Sequence, residues 1–133
     1  MKTFLFRDIL VACGGEYVGD DSLLDTAASD VVIDSRKATP GSLYVPIIGE
    51  NHDGHAFITA ARANGAALVL SEQPLDTPPY IQVANTLAAL QAIAARYREL
   101  FSIPVVGLTG SAGKTSTKDI VAAALGAHYS VLK

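Results

Sequence analysis

One stretch constrains the fold more than any other: Val105-Val106-Gly107-Leu108-Thr109-Gly110-Ser111-Ala112-Gly113-Lys114-Thr115-Ser116-Thr117. An apolar, strand-like run enters a loop with glycines at 110 and 113. A segment free of glycine and proline then runs from Lys114 to Leu125 and predicts a helix. A strand, a glycine-rich turn and a helix together suit a phosphate. Glycine lets backbone N–H groups approach the oxygens, and the helix N-terminus adds favourable partial charge. The strict Walker A spacing would put its first glycine at position 108, which is Leu, so the loop is a variant with glycine at 110. It predicts Thr109, Gly110, Ser111, Ala112, Gly113, Lys114, Thr115 and Ser116 as an ATP-binding set. Lys114 would act as a point charge on the β and γ phosphates, and the Thr115 hydroxyl would bind Mg²⁺. The plain alternative is a strand–helix turn that happens to carry Gly-Lys-Thr.

Upstream, short apolar runs alternate with helix-like segments, which argues for an α/β fold. Thr3 is placed to cap a helix through about Cys13, with Phe6, Ile9, Leu10 and Cys13 on one side and Gly14-Gly15 as its stop. Val31 to Ile33 and Leu43 to Ile47 read as strands. Pro46 requires the second to lie at an edge or to end there. The Ala-rich segment 55–64 reads as a helix closed by Gly65, 67–70 and 80–83 as strands, and 86–100 as a helix capped by Asn85 or Thr86. In that helix Leu87, Leu90, Ile93, Ala94 and Tyr97 have helical spacing. Residues 129–132 begin a further strand. The predicted boundary falls near 101–104, dividing a small α/β domain (1–102) from the opening strand–loop–helix–strand of a nucleotide-binding domain (103–133). Only 19 residues follow Lys114, and none forms an apolar strand ending in Asp for the metal. The chain is therefore expected to be an incomplete piece, inactive alone.

Composition narrows the function classes. A formal net charge of −3 does not suit a protein held on nucleic acid by charge. One cysteine, Cys13, excludes an internal disulfide or a multi-cysteine metal site, and a reducing compartment is expected. Charge interrupts the N-terminus too early for a signal-peptide core, and no apolar run nears the about 20 residues of a membrane helix. A cytoplasmic location with no membrane insertion is expected.

Two upstream blocks carry candidate chemistry. Asp34-Ser35-Arg36 directly follows a strand, where α/β sheets present ligand groups. Ser35 could bond a uracil edge or a phosphate, and Arg36 a diphosphate. Equally, Asp34 and Arg36 could form an ion pair that braces the loop. Asn51-His52-Asp53-Gly54-His55 opens a helix, with Asp53 as a candidate N-cap. The block admits a nucleotide-contacting loop, or capping with exposed imidazoles. A metal site is disfavoured, because no further ligands lie near His52 and His55.

These blocks, with Pro40-Gly41-Ser42-Leu43-Tyr44-Val45, Ala63-Asn64-Gly65-Ala66 and the glycine-rich loop, resemble the Mur ligases. The resemblance spans residues 34–118 and departs at Ala112, where Asn is common. It implies an ATP-dependent, cytoplasmic amide-bond-forming enzyme of peptidoglycan precursor synthesis. The substrate carboxylate would attack the γ-phosphate, and an amine would attack the resulting acyl phosphate. It implies Ser35, Arg36, Asn51, His52, Asp53, Gly54 and His55 as contacts to a UDP-N-acetylmuramoyl-peptide, with ATP and Mg²⁺ at Lys114 and Thr115. Ile103-Pro104 and Lys118-Asp119 are most similar to the members that add D-alanyl-D-alanine to the tripeptide. Members that add the third amino acid, and an unrelated P-loop module, are the alternatives.

Overall fold

The computed structural model describes residues 3–100. The chain divides into two compact units, Met1–Phe101 and Ser102–Lys133. The glycine-rich loop, the helix predicted from Lys114 and the strand predicted at 129–132 lie outside the described residues.

The first unit is a five-stranded sheet between two helical layers. Its strands are β1 (Glu16–Val18), β2 (Val31–Val32), β3 (Leu43–Tyr44), β4 (Leu68–Ser71) and β5 (Tyr80–Gln82), in the order β1-β5-β4-β3-β2. β2, β3, β4 and β5 are parallel, and only β1 runs antiparallel, opposite β5. The helices are α1 (Phe6–Cys13), α2 (Ile58–Ala63) and α3 (Thr86–Arg98).

The pleat sends alternate residues to opposite faces. Leu43, Val45, Leu68, Leu70, Ile81 and Val83 pack with Phe6 and Ile9 of α1 and Ala89 and Ile93 of α3. Tyr44, Val69 and Tyr80 pack on the other face with Ile58 and Ala61 of α2. Burial on both faces explains why β4 reads as an unbroken apolar run, Leu68-Val69-Leu70. β3 lies inside the sheet, so Pro46 marks its end and not an edge.

Several expected boundaries move. The cap of α1 is Leu5, not Thr3: the Asp8 carboxylate accepts the Leu5 N–H at 3.0 Å. Phe4, just ahead of the helix, is buried with its ring 5.5 Å from that of Tyr97. Starting the helix at Thr3 would carry Phe4 out of that packing. Gly14, with φ of 66°, closes α1 as expected. The helix expected at 55–64 begins as a 3-10 turn, Gly54–Phe57, and becomes α-helical only at Ile58. On α3 the buried residues are Thr86, Ala89 and Ile93, and Leu87 is exposed.

Candidate functional site

Four parallel strands bring their carboxyl ends to one edge of the sheet. Asp34-Ser35-Arg36 follows β2, the loop 49–54 follows β3, Glu72 follows β4 and Asn85-Thr86 follows β5. Sheets of this class bind ligands at that edge, because the strand-to-helix loops gather there.

Asp34 does two jobs. It caps the 3-10 turn Ser35–Lys37 by accepting the Arg36 N–H at 2.9 Å. It also grips the Arg36 guanidinium in a two-pronged pair, Nε to Oδ1 at 3.0 Å and Nη2 to Oδ2 at 2.8 Å. Those side-chain bonds, followed by the backbone bond, hold the Asp34 carboxyl down at about 2. The ion pair considered from sequence is therefore present, yet it does not consume Arg36. Its side chain is 87% exposed. A guanidinium has five N–H donors, and Asp34 takes two of them. The rest face outward on a side chain whose position is already set. Ser35 is buried, and its carbonyl accepts Asn64 Nδ2 at 2.9 Å.

The loop after β3 folds back on itself. Gly49 N–H donates to the His52 carbonyl at 2.7 Å, and Gly54 N–H to that of Ile47 at 3.0 Å. The Tyr44 hydroxyl rises from the buried face of β3 and donates to the Gly54 carbonyl at 2.8 Å. Burial first, then the charges of Asp34 and Asp53, raise the Tyr44 phenol, so it stays a donor. Asn51, His52 and Asp53 are exposed at the tip. Asp53 is the expected N-cap and accepts the His55 N–H at 2.9 Å. This bond first, and the His55 ring second, lower its carboxyl.

His55 is not an exposed imidazole. Its side chain is 15% exposed; Nδ1 lies 2.7 Å from Asp53 Oδ1, and Nε2 accepts the Glu72 N–H at 2.9 Å. The Glu72 carboxylate then accepts both the N–H (2.9 Å) and the hydroxyl (3.2 Å) of Thr86 through Oε2. A line of hydrogen bonds thus joins the ends of β3, β4 and β5. Glu72 escaped the reading of the sequence, in which Thr86 figures only as a candidate cap and Tyr44 only within a strand and a family block. The available signal for Glu72 was its place just after a parallel strand. Cys13 is half-buried, and burial raises its thiol, which agrees with a packing role. Among the described residues no group of three or more His, Cys, Asp or Glu could hold a metal ion. Thr109 to Ser116, with Lys114 and Thr115, lie outside the described residues.

Fold and edge together define an α/β domain with its strand-to-helix loops gathered on the strand carboxyl ends. The model of the Mur ligase family, catalytic domain, matches residues 28–98. The chain belongs to the Mur ligase family. It is 44% identical over 112 residues to UDP-N-acetylmuramoyl-tripeptide--D-alanyl-D-alanine ligase of Escherichia coli, covering 84% of this chain and 24% of that one. MurF from Acinetobacter baumannii superposes with a TM-score of 0.86 at 28% identity, over 96% of this chain and 28% of that one. MurF ligase from Thermotoga maritima, solved with ADP, gives 0.72 at 34% identity over 77% and 24% of the two chains. The chain spans about a quarter of the length of the curated relatives it matches.

Proposed function

We propose that this chain serves the ATP-dependent ligation that attaches D-alanyl-D-alanine to a UDP-N-acetylmuramoyl tripeptide in the cytoplasm. Residues 1–102 would recognise the UDP-bearing substrate, and residues 103–133 would open the ATP-binding domain. One observation carries the reading of the first unit. Arg36, held by Asp34 and turned to solvent, stands at the end of β2, and the polar tip Asn51-His52-Asp53 stands at the end of the neighbouring β3. The free donors of Arg36 fit a diphosphate, and the exposed loop tip offers polar groups to a nucleoside, whereas Ser35, expected to contact the substrate, is buried.

For the second unit the support is the Thr109–Ser116 sequence and the ADP held by the Thermotoga relative. In this reading Lys114 neutralises the phosphates, and Thr115 would hold Mg²⁺, whose charge eases phosphoryl transfer when bound. The peptide carboxylate takes up the γ-phosphoryl group of ATP as an acyl phosphate, releasing ADP, and the dipeptide amine displaces phosphate from it, losing a proton as the amide forms. Positioning and charge neutralisation assist both steps.

Calorimetric titration of the 133-residue chain with UDP-N-acetylmuramoyl tripeptide, the matching dipeptide form, and UDP alone tests the substrate. Tripeptide-nucleotide binding that R36A weakens about tenfold or more supports the reading. Tighter binding of the dipeptide form would assign the chain to ligation of the third amino acid. No binding of any UDP compound would defeat the assignment of residues 1–102.

A further inference from the structure

The motif residue His55 has no polar atom left for a substrate. We propose that His55 is a positioning residue: as the neutral tautomer protonated on Nδ1, it clamps the loop 49–54 to the end of β4. The inference rests on the substrate-loop reading above, but its physical content is independent of any ligand.

The tautomer follows from the partners. A backbone N–H can only donate, so Nε2, at 2.9 Å from the Glu72 nitrogen, must carry a lone pair. The ring proton is then on Nδ1, and the Asp53 carboxylate at 2.7 Å receives it. The opposite tautomer would set N–H against N–H at Glu72 and a lone pair against a carboxylate at Asp53. A second proton on the ring would also break the Glu72 bond. The charged and titratable groups around the ring agree with this arrangement. Asp53 faces Nδ1, the Glu72 carboxylate is turned to Thr86, and the Tyr44 hydroxyl is spent on the Gly54 carbonyl.

The consequence is geometric. Asp53 caps the turn that ends the loop, and His55 fixes that turn to the end of the neighbouring strand β4, 17 residues on. Glu72 passes the constraint to Thr86 at the start of α3. The exposed tip Asn51-His52-Asp53 is thereby held at a set height above the strand ends. Without the ring, the remaining ties are the Tyr44 hydroxyl and the bonds within the loop.

Two variants separate the two halves of the clamp. In H55N the amide nitrogen can replace Nδ1 at Asp53, but nothing reaches Glu72. In H55Q the amide oxygen can replace Nε2 at Glu72, but the Asp53 contact is lost. NMR of the 133-residue chain without ligand reads both the ring and the strand. The wild-type ring nitrogens should show Nδ1 protonated and Nε2 bare. The Glu72 amide should exchange about tenfold faster in H55N, the loss expected for one such bond, and stay near wild type in H55Q. A ring protonated on Nε2, or a Glu72 amide equally protected in H55N, overturns the clamp. Titration with the UDP-tripeptide completes the test. A wild type that binds, with H55N weakened and H55Q largely rescued, supports the positioning role; equal affinity of all three overturns it. A wild type that shows the ring signature but binds nothing leaves the clamp standing and removes the substrate assignment instead.

Discussion

Two glycines of the same loop should respond very differently to one added methyl. A Cβ on Gly54 would lie 2.8 Å from the Ile47 nitrogen and 2.8 Å from the Pro46 Cα, both backbone atoms, and 3.0 Å from the Tyr44 hydroxyl. Backbone cannot swing away as a side-chain tip can, so the turn must move off the end of β3. The Tyr44 bond to the Gly54 carbonyl would stretch with it. Overpacking of this kind costs about 1–3 kcal/mol. For a domain of this size, about 2 kcal/mol lowers Tm by roughly 8–16 °C. At Gly49 the nearest atom to a new Cβ is the His52 carbonyl oxygen at 3.6 Å, an ordinary contact. G49A should change stability by less than about 0.5 kcal/mol. Thermal unfolding of both variants, followed by circular dichroism and calorimetry, makes the comparison. Equal Tm values for G54A and G49A would refute the idea that the loop is pressed onto β3 at Gly54.

Other outcomes follow from the same geometry. The Asp34 carboxyl titrates at about 2, below its ordinary 3.8, so its stabilising contribution is complete above about pH 4 and is lost as the pH falls toward 2. Acid unfolding of D34N should lack that component, and a carboxyl NMR titration should place the wild-type midpoint near 2. E72A removes the acceptor of the Thr86 hydroxyl and N–H, on a residue only 1% exposed, and should cost about 1–3 kcal/mol in denaturant unfolding. On α3, I93A should cost about 2–5 kcal/mol, whereas L87A, at an exposed position, should stay within about 0.5 kcal/mol.

The parallel strands were legible because their residues are buried or nearly so on both faces of the sheet, with β2 partly exposed at the edge. Val31-Val32, Leu43-Tyr44, Leu68-Val69-Leu70 and Tyr80-Ile81 have no polar residue to blur the pattern. β1 was not, since Glu16-Tyr17-Val18 lies at the sheet edge with both ends exposed and lacks an apolar run. On α3 the expected face holds at Leu90, Ile93 and Tyr97, which pack on the core, and fails at Leu87 and Ala94, which are exposed. At the first turn the inward position is taken by Thr86, whose N–H and hydroxyl bond the Glu72 carboxylate, and not by Leu87. Asp53 as an N-cap was visible, because that contact reaches only two residues along the chain. The role of His55 was not, because its second partner is fixed by the pairing of β3 with β4. Composition and spacing say which groups are present; here tertiary contacts decide which of them are already spent.

The central claim is that a UDP-sugar peptide lies across the carboxyl ends of β2 and β3. Amide chemical-shift mapping of the ¹⁵N-labelled chain during addition of UDP-N-acetylmuramoyl tripeptide addresses it directly. Saturable shifts concentrated at Ser35, Arg36 and Asn51 to Gly54, with β1 and the outer side of α1 unmoved, are the predicted result. Shifts confined to those distant elements, or none at saturating ligand, would contradict it.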